Sequence, residues 1–223
     1  MGAVSRFSAA EWIAESLDQQ SMTVAHWVPP VYESYLRILH PIEATDGSAR
    51  TLRWAEVAEA AHRELEGDVS WKGLVQSYAI QHGSFDLAAE PRIGCLTEDE
   101  ADAVFERLAS HTTTPEACYS AFSSIYSWVS DLQSSGQPLF RIGPDREFLL
   151  VRSSIYEYGQ SGYSAAGTHF RVLPDMSWPE GKEWFLATSF DMDSTLIGGS
   201  AELINSLVSG PYESIPVTAS TVV

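Results

Sequence analysis

PEACYSAFSSIYSWVSDLQ, residues 115–133, is the stretch on which the balance of helix and strand turns. Read with a helical period, Cys118, Phe122, Ile125, Val129 and Leu132 fall on one stripe, and Thr114-Pro115-Glu116 has the residue types of a helix start. Read as a strand, the Tyr, Phe and Ile set among serines across 119–128 fit as well. Pattern alone tilts the segment slightly towards helix.

Its N-terminal neighbour is less ambiguous. Thr97-Glu98-Asp99-Glu100 is a capping box with acids in the first turn, where the helix dipole favours them. Ala101, Val104, Phe105 and Leu108 then form a single apolar stripe. A second helix is expected from Trp54, Val57, Ala58, Ala61 and Leu65, stopped by Gly67. A short third follows the capping-box spelling Ser8-Ala9-Ala10-Glu11. VYESYLRILH, residues 31–40, lies between Pro29-Pro30 and Pro41 and reads as a buried strand; ATDGS, residues 44–48, reads as a turn.

Helices with one apolar face need a cover, and the C-terminal half supplies a sheet. REFLLVRSSIYEY (146–158), EWFLATSFD (183–191) and SIPV (214–217) read as strands. SAELINSLVSG (200–210) is a compact helix with Leu203, Ile204, Leu207 and Val208 on one side. The expected fold is one α+β domain over residues 1–223, with a mixed or largely antiparallel sheet from about 118–126, 146–153 and 184–191 against amphipathic helices. SSGQP and GPD mark a weak sub-boundary near 134–145.

The chain has 223 residues, 44% hydrophobic and 19% charged, enough for a sizeable core. Thirteen basic against thirty acidic residues give a formal charge of −17. Lys72 and Lys182 are the only lysines, so no basic cluster exists to replace phosphate counterions, and neither nucleic acid nor an anionic membrane is an expected partner. No apolar run reaches the roughly 18 residues of a membrane helix, and the N-terminus has no apolar signal region. Cys95 and Cys118 are too few for a disulfide framework, which points to a reducing, cytoplasmic setting and leaves one bridge between them open.

FDMDSTLIGG, residues 190–199, resembles the nucleophile motif of haloacid dehalogenase-like phosphohydrolases, with Asp191 as nucleophile and Asp193 as acid beside Mg²⁺. In that family the remaining catalytic motifs follow the first. Here the 28 residues after Thr195 (196–223) contain no Lys, Arg or Asp to neutralise a transferred phosphoryl group. The expected arrangement is therefore Asp191 and Asp193 at the exposed end of a strand with Ser194 or Thr195 in a turn. Gly198-Gly199-Ser200 would then open a helix and offer N–H groups to an anion.

Other candidates are looser. SGYSAAG (161–167) is one residue too long for a nucleophile elbow and reads as a loop. His111 and Cys118 would make a metal or thiol site if they met, with Cys95 or Asp191 as further members. Trp178 and Trp184 flank a Pro/Gly turn and would line either a ligand pocket or a lid over the sheet.

RILHP (37–41), RWAEVA (53–58), HTTTPEAC (111–118) and W-P-x-x-x-x-W-x-x-A-T (178–188), followed by Asp191, Thr195 and Gly198-Gly199, resemble a family of uncharacterised actinobacterial proteins over about residues 27–217. The resemblance implies a cytoplasmic protein, a strand at CYSAFSSIY, and local variation as the source of the phosphatase-like spelling. It assigns no catalytic residue. The expected function is a non-enzymatic binding or interaction protein, with a protein partner or a second copy of the chain meeting its acidic and aromatic surface. The alternative is a Mg²⁺-dependent hydrolase using Asp191 and Asp193.

Overall fold

The computed structural model describes residues 2–4, 7–44, 51–83, 89–158, 162–163, 169–170 and 172–223. The chain begins β1 (Gly2–Ala3), α1 (Ser8–Ser16), α2 (Val24–Trp27), β2 (Ser34–Leu39), β3 (Ile42–Ala44) and β4 (Thr51–Leu52). It continues with α3 (Trp54–Ala60), α4 (Trp71–His82), β5 (Ala89–Pro91), α5 (Glu98–Ser110), β6 (Cys118–Ser123), α6 (Ser127–Ser134), β7 (Phe140–Ile142) and β8 (Arg146–Ser153). After the short pair β9 (Gly162–Tyr163) and β10 (His169–Phe170) come β11 (Met176–Pro179), β12 (Phe185–Ala187), β13 (Ser194–Gly199), α7 (Ala201–Val208) and β14 (Glu213–Val217).

Among the described residues the main sheet runs β1-β8-β6-β11-β12-β13-β2-β14, with β7 sharing an edge of β8. Every pairing in it is antiparallel. The result is an α+β fold whose sheet is antiparallel rather than mixed. A small second sheet, β4-β3-β5, carries α3 and α4. No described helix is long and apolar enough to cross a membrane.

Segment 115–133 is both of its readings in succession. Cys118–Ser123 is a central strand, and after a turn at Ser124–Tyr126 the helix α6 begins at Ser127. The strand is buried on both faces: Tyr119 and Ala121 face one core, Cys118 and Phe122 the other. A strand covered on both sides shows no polar alternation, so its apolar residues merge with Val129 and Leu132 of α6 into one helix-like stripe.

The two faces have different covers. α1, through Ala10 and Ile13, joins Val24 and Val28 over Tyr119, Leu150, Trp178, Phe185 and Leu196. On the opposite face α5 and α7 bring Val104, Phe105, Leu108, Leu203 and Leu207 against Leu36, Ile38, Leu186 and Ile197. α6 completes that face with Trp128 and Val129 over Phe122, Leu149 and Val151. In the smaller unit Trp54, Val57, Ile42 and Leu74 pack together. Glu213 of β14 binds it to the main sheet by accepting the N–H groups of Trp54 (2.6 Å) and Ala55 (2.9 Å) at the start of α3.

Several sequence expectations need correction. Ser8 lies inside α1, whose N-cap is Phe7 without a side-chain bond, so the spelling SAAE is not used as a box. α3 stops at Ala60, and the chain turns out of the helix at His62, which has φ of 50°. The strand expected at 184–191 is only Phe185–Ala187, and STLIGG is a separate buried strand rather than a turn and helix start. ATDGS beyond Ala44 lies outside the described residues, as does SGYSAAG apart from the backbone of Gly162–Tyr163.

The capping box of α5 forms as spelled. The Glu100 N–H donates to Thr97 Oγ1 (3.3 Å), and the Thr97 N–H donates to Glu100 Oε2 (3.0 Å). Thr97→Ala is expected to cost about 1 kcal/mol. For a chain of this size that lowers the thermal midpoint by roughly 2–4 °C, measurable by circular dichroism.

Candidate functional site

The motif Asp191-Met192-Asp193-Ser194-Thr195 divides between two neighbourhoods. Ser194 and Thr195 begin β13, between β12 and β2, and are almost fully buried. Opposite them on β2 lie Ile38, Leu39 and, one pair further along, Arg37. The Arg37 guanidinium, 3% exposed, donates from Nε to Ser194 Oγ (3.0 Å) and from Nη2 to Asp193 Oδ1 (3.1 Å). Its Nη1 donates to the carbonyls of Gly67 (3.0 Å) and Val69 (2.7 Å), in the connection between α3 and α4. Asp193 is therefore the counter-ion of a buried arginine that joins the small unit to the sheet.

His40 makes the same kind of junction. Its Nδ1 lies 3.0 Å from the Arg92 carbonyl, which can only accept, so Nδ1 carries the proton. Nε2 then accepts from the Thr195 hydroxyl at 2.9 Å. Burial pushes the imidazole down to about 4, against the weaker pull of the Arg92 carbonyl and Asp193, so the ring is neutral at pH 7. The His40 carbonyl in turn accepts the Trp54 indole N–H at 2.7 Å.

Asp191 faces elsewhere. With Asp175, Arg146, Trp27, Ser123 and Thr188 it lines a cleft of about 450 Å³. Asp175 stands just before β11, its N–H donating to Ala121 O (2.9 Å) and its carbonyl accepting the Thr188 N–H (2.8 Å). That backbone anchorage fixes the carboxyl at the sheet, where Oδ2 accepts the Ser123 N–H at 2.9 Å. The side chain is 3% exposed, and burial raises it to about 7; Asp191 adds to the rise while the N–H groups of Ser123 and Asp175 oppose it.

Arg146 begins β8 and lies over the Trp27 ring, 5.4 Å from its centroid. Its buried Nη2 has no hydrogen-bond partner among the described residues. Burial lowers its pKa, but an arginine stays protonated at neutral pH. His26 stacks edge-on against Trp27 at 4.9 Å, and burial followed by the Arg146 charge lowers its pKa. The cleft thus joins one protonated guanidinium, whose Nη2 is unpartnered among the described residues, to three acidic residues, Asp145, Asp175 and Asp191, of which Asp175 titrates near neutrality. Neither Asp175 nor Arg146 belongs to any motif in the sequence; the one local cue is an Asp set between Pro174 and a strand.

The remaining candidates are dispersed. Trp178 and Trp184 point to opposite faces of the sheet, Trp178 stacked between Tyr119 and Phe185, Trp184 packed in the core beneath α5 and α7. Gly198 and Gly199 end β13 rather than start a helix. A Cβ at Gly198 would lie 2.6 Å from the Tyr32 ring, and one at Gly199 2.7 Å from Leu203, so both serve close packing. His111 is the C-cap of α5, and no hydrogen bond links it to Cys118. Cys118 is buried, its thiol pushed up to about 12 by burial and the charges of Glu183 and Glu116, and it donates to the Thr114 carbonyl. Both cysteines are free. Among the described residues no group of three or more His, Cys, Asp or Glu is placed to hold a metal ion. No protein-family model, curated protein or solved structure matches this chain, so the site is read from its own geometry.

Proposed function

We propose that this protein binds a small anionic molecule in the cleft between Arg146 and Asp175. The observation that carries the reading is Arg146, a lining residue of that cavity whose buried Nη2 has no hydrogen-bond partner among the described residues. More than nine in ten buried polar groups are hydrogen-bonded in folded proteins, and a lone guanidinium donor is costly to leave dry. A planar fork of donors held over an indole suits a carboxylate or phosphate, which accepts two parallel N–H bonds. A cleft of about 450 Å³ lies within the usual range for small-molecule sites. Asp175, once protonated, would donate to a second ligand oxygen instead of repelling it.

The hydrolase alternative, with Mg²⁺ between Asp191 and Asp193, draws no support from this arrangement, because Asp193 is engaged by Arg37 while Asp191 lines the cleft. A docked protein partner or second copy likewise lacks an observation of its own.

Thermal-shift titration with inorganic phosphate, acetate and succinate tests the reading. A ligand at a hundred times its Kd stabilises by about 2.7 kcal/mol, a rise of roughly 5–10 °C here. The rise is expected for at least one anion in the wild type and is lost in Arg146→Gln. Equal shifts in both proteins, or none with any anion, would overturn the reading.

A further inference from the structure

Phe190, 48% exposed, lines the Arg146 cleft and also a second cavity of about 520 Å³. The walls of the second are largely apolar, with Ile93, Leu96, Trp128, Val172 and Leu173 among them. Arg92, Cys95, Glu98 and Ser127 also line it, and Arg92 is already paired with Glu43 at 3.3 Å. The partition is held in place. The Gly94 N–H donates to the Met192 carbonyl at 2.8 Å, and Gly94, at φ of 85°, sits so close that a Cβ there would lie 3.1 Å from the Phe190 backbone. Tyr126 lines the apolar cavity, and its phenol, raised by burial, also feels Asp175 in one cavity and Cys95 in the other. Ile93, Ile125 and Phe190, each about half exposed, rim the two openings.

We infer that the ligand is an amphiphile, with an anionic head on Arg146 and an apolar tail that passes Phe190 into the second cavity. The inference rests on the anion-binding reading above and adds the class of molecule. Phe190 lines both cavities, so the apolar one adjoins the Arg146 cleft. An alkyl or acyl chain suits that adjacency; a compact anion such as phosphate fills only the polar cleft. The head chemistry, carboxylate or phosphate, is shared by several sources, and the probes separate them.

The experiment is calorimetric titration with straight-chain carboxylates of two, six and ten carbons and with the matching alkyl phosphates, all below their aggregation limits. Each methylene that enters an apolar cavity strengthens binding about fourfold, which follows from about 0.8 kcal/mol per buried CH₂. At least one series is expected to tighten with chain length. Ile93→Gln, at an exposed position that should not disturb folding, is expected to weaken ten-carbon binding about fivefold more than two-carbon binding. Arg146→Gln weakens every member. Affinity independent of chain length, with Arg146 dependence intact, would overturn the tail and leave the anion site standing. Chain-length dependence that Arg146→Gln leaves unchanged would overturn the anionic head and with it the proposed function. A gain with length that Ile93→Gln does not touch is surface adsorption and overturns the tail inference as well.

Discussion

Asp193→Ala is expected to lower the unfolding free energy by about 3 kcal/mol, because removing one member of a buried ion pair leaves the other charge uncompensated. The charge left behind is Arg37, 3% exposed and buried among Ser194 and the carbonyls of Gly67 and Val69. Those acceptors satisfy its donors but carry no charge, and Asp68 acts on it more weakly than Asp193 does. Asp193 keeps about a quarter of its side-chain surface in solvent, which sets the loss at the lower end of the usual range. Asp193→Asn retains an oxygen for Nη2 and is expected to cost less than half as much. The double variant Arg37→Met/Asp193→Ala recovers part of the loss, since no buried charge then remains. Urea unfolding of the three variants checks this. An Asp193→Ala unfolding free energy within about 1 kcal/mol of wild type would mean that the pair behaves as an ordinary surface salt bridge, worth about 0–1 kcal/mol.

That result would also decide what the phosphatase-like spelling is for. The residues that look catalytic in sequence serve as stitching: Asp193 to Arg37, Ser194 to Arg37, Thr195 to His40. The helices legible in the sequence were those with one face in water or a capped end, α5 with its capping box and α7 with Leu203, Ile204 and Leu207. The strand at 146–153 is buried on both faces and was recognisable by its unbroken apolar run Phe148-Leu149-Leu150-Val151. β13 was not legible. Buried on both faces, it shows no alternation, and Gly198 and Gly199 imitate a turn although they are there to admit Tyr32 and Leu203. The cleft was hidden for a different reason. Trp27, Arg146, Asp175 and Asp191 come from separate parts of the chain, and only the order of strands in the sheet brings them to one place. Of these, Asp191 alone could be singled out in advance, by its acidic neighbour.

Asp175→Asn is expected to stabilise the protein at pH 8 and to leave it unchanged at pH 4, with the difference opening between. The carboxyl titrates near 7 in the folded chain, chiefly through burial, against 3.8 as its ordinary value. Between those values the unfolded chain has released the proton and the folded chain still holds it. Stability therefore falls as pH rises from about 4 to about 7 and is level above that. A gap of three pH units corresponds to about 4 kcal/mol at most. His40 acts in the opposite sense, since burial holds it at about 4 against an ordinary 6.5, and stability rises as pH climbs across that window. The two contributions offset in the wild type, whose profile is expected to be nearly flat from pH 4 to 7. In Asp175→Asn the opposing fall is gone and the rise from His40 remains, about 3 kcal/mol across the same window. Urea midpoints at pH 4, 5, 6, 7 and 8 for both proteins give the comparison directly. Parallel profiles would mean that Asp175 is ionised throughout in the folded chain, a fixed negative charge on the wall where an anion is proposed to bind. Diverging profiles would mean a neutral carboxyl below pH 7, and anion binding in the wild type should then strengthen as pH falls through 7, while in Asp175→Asn that dependence disappears.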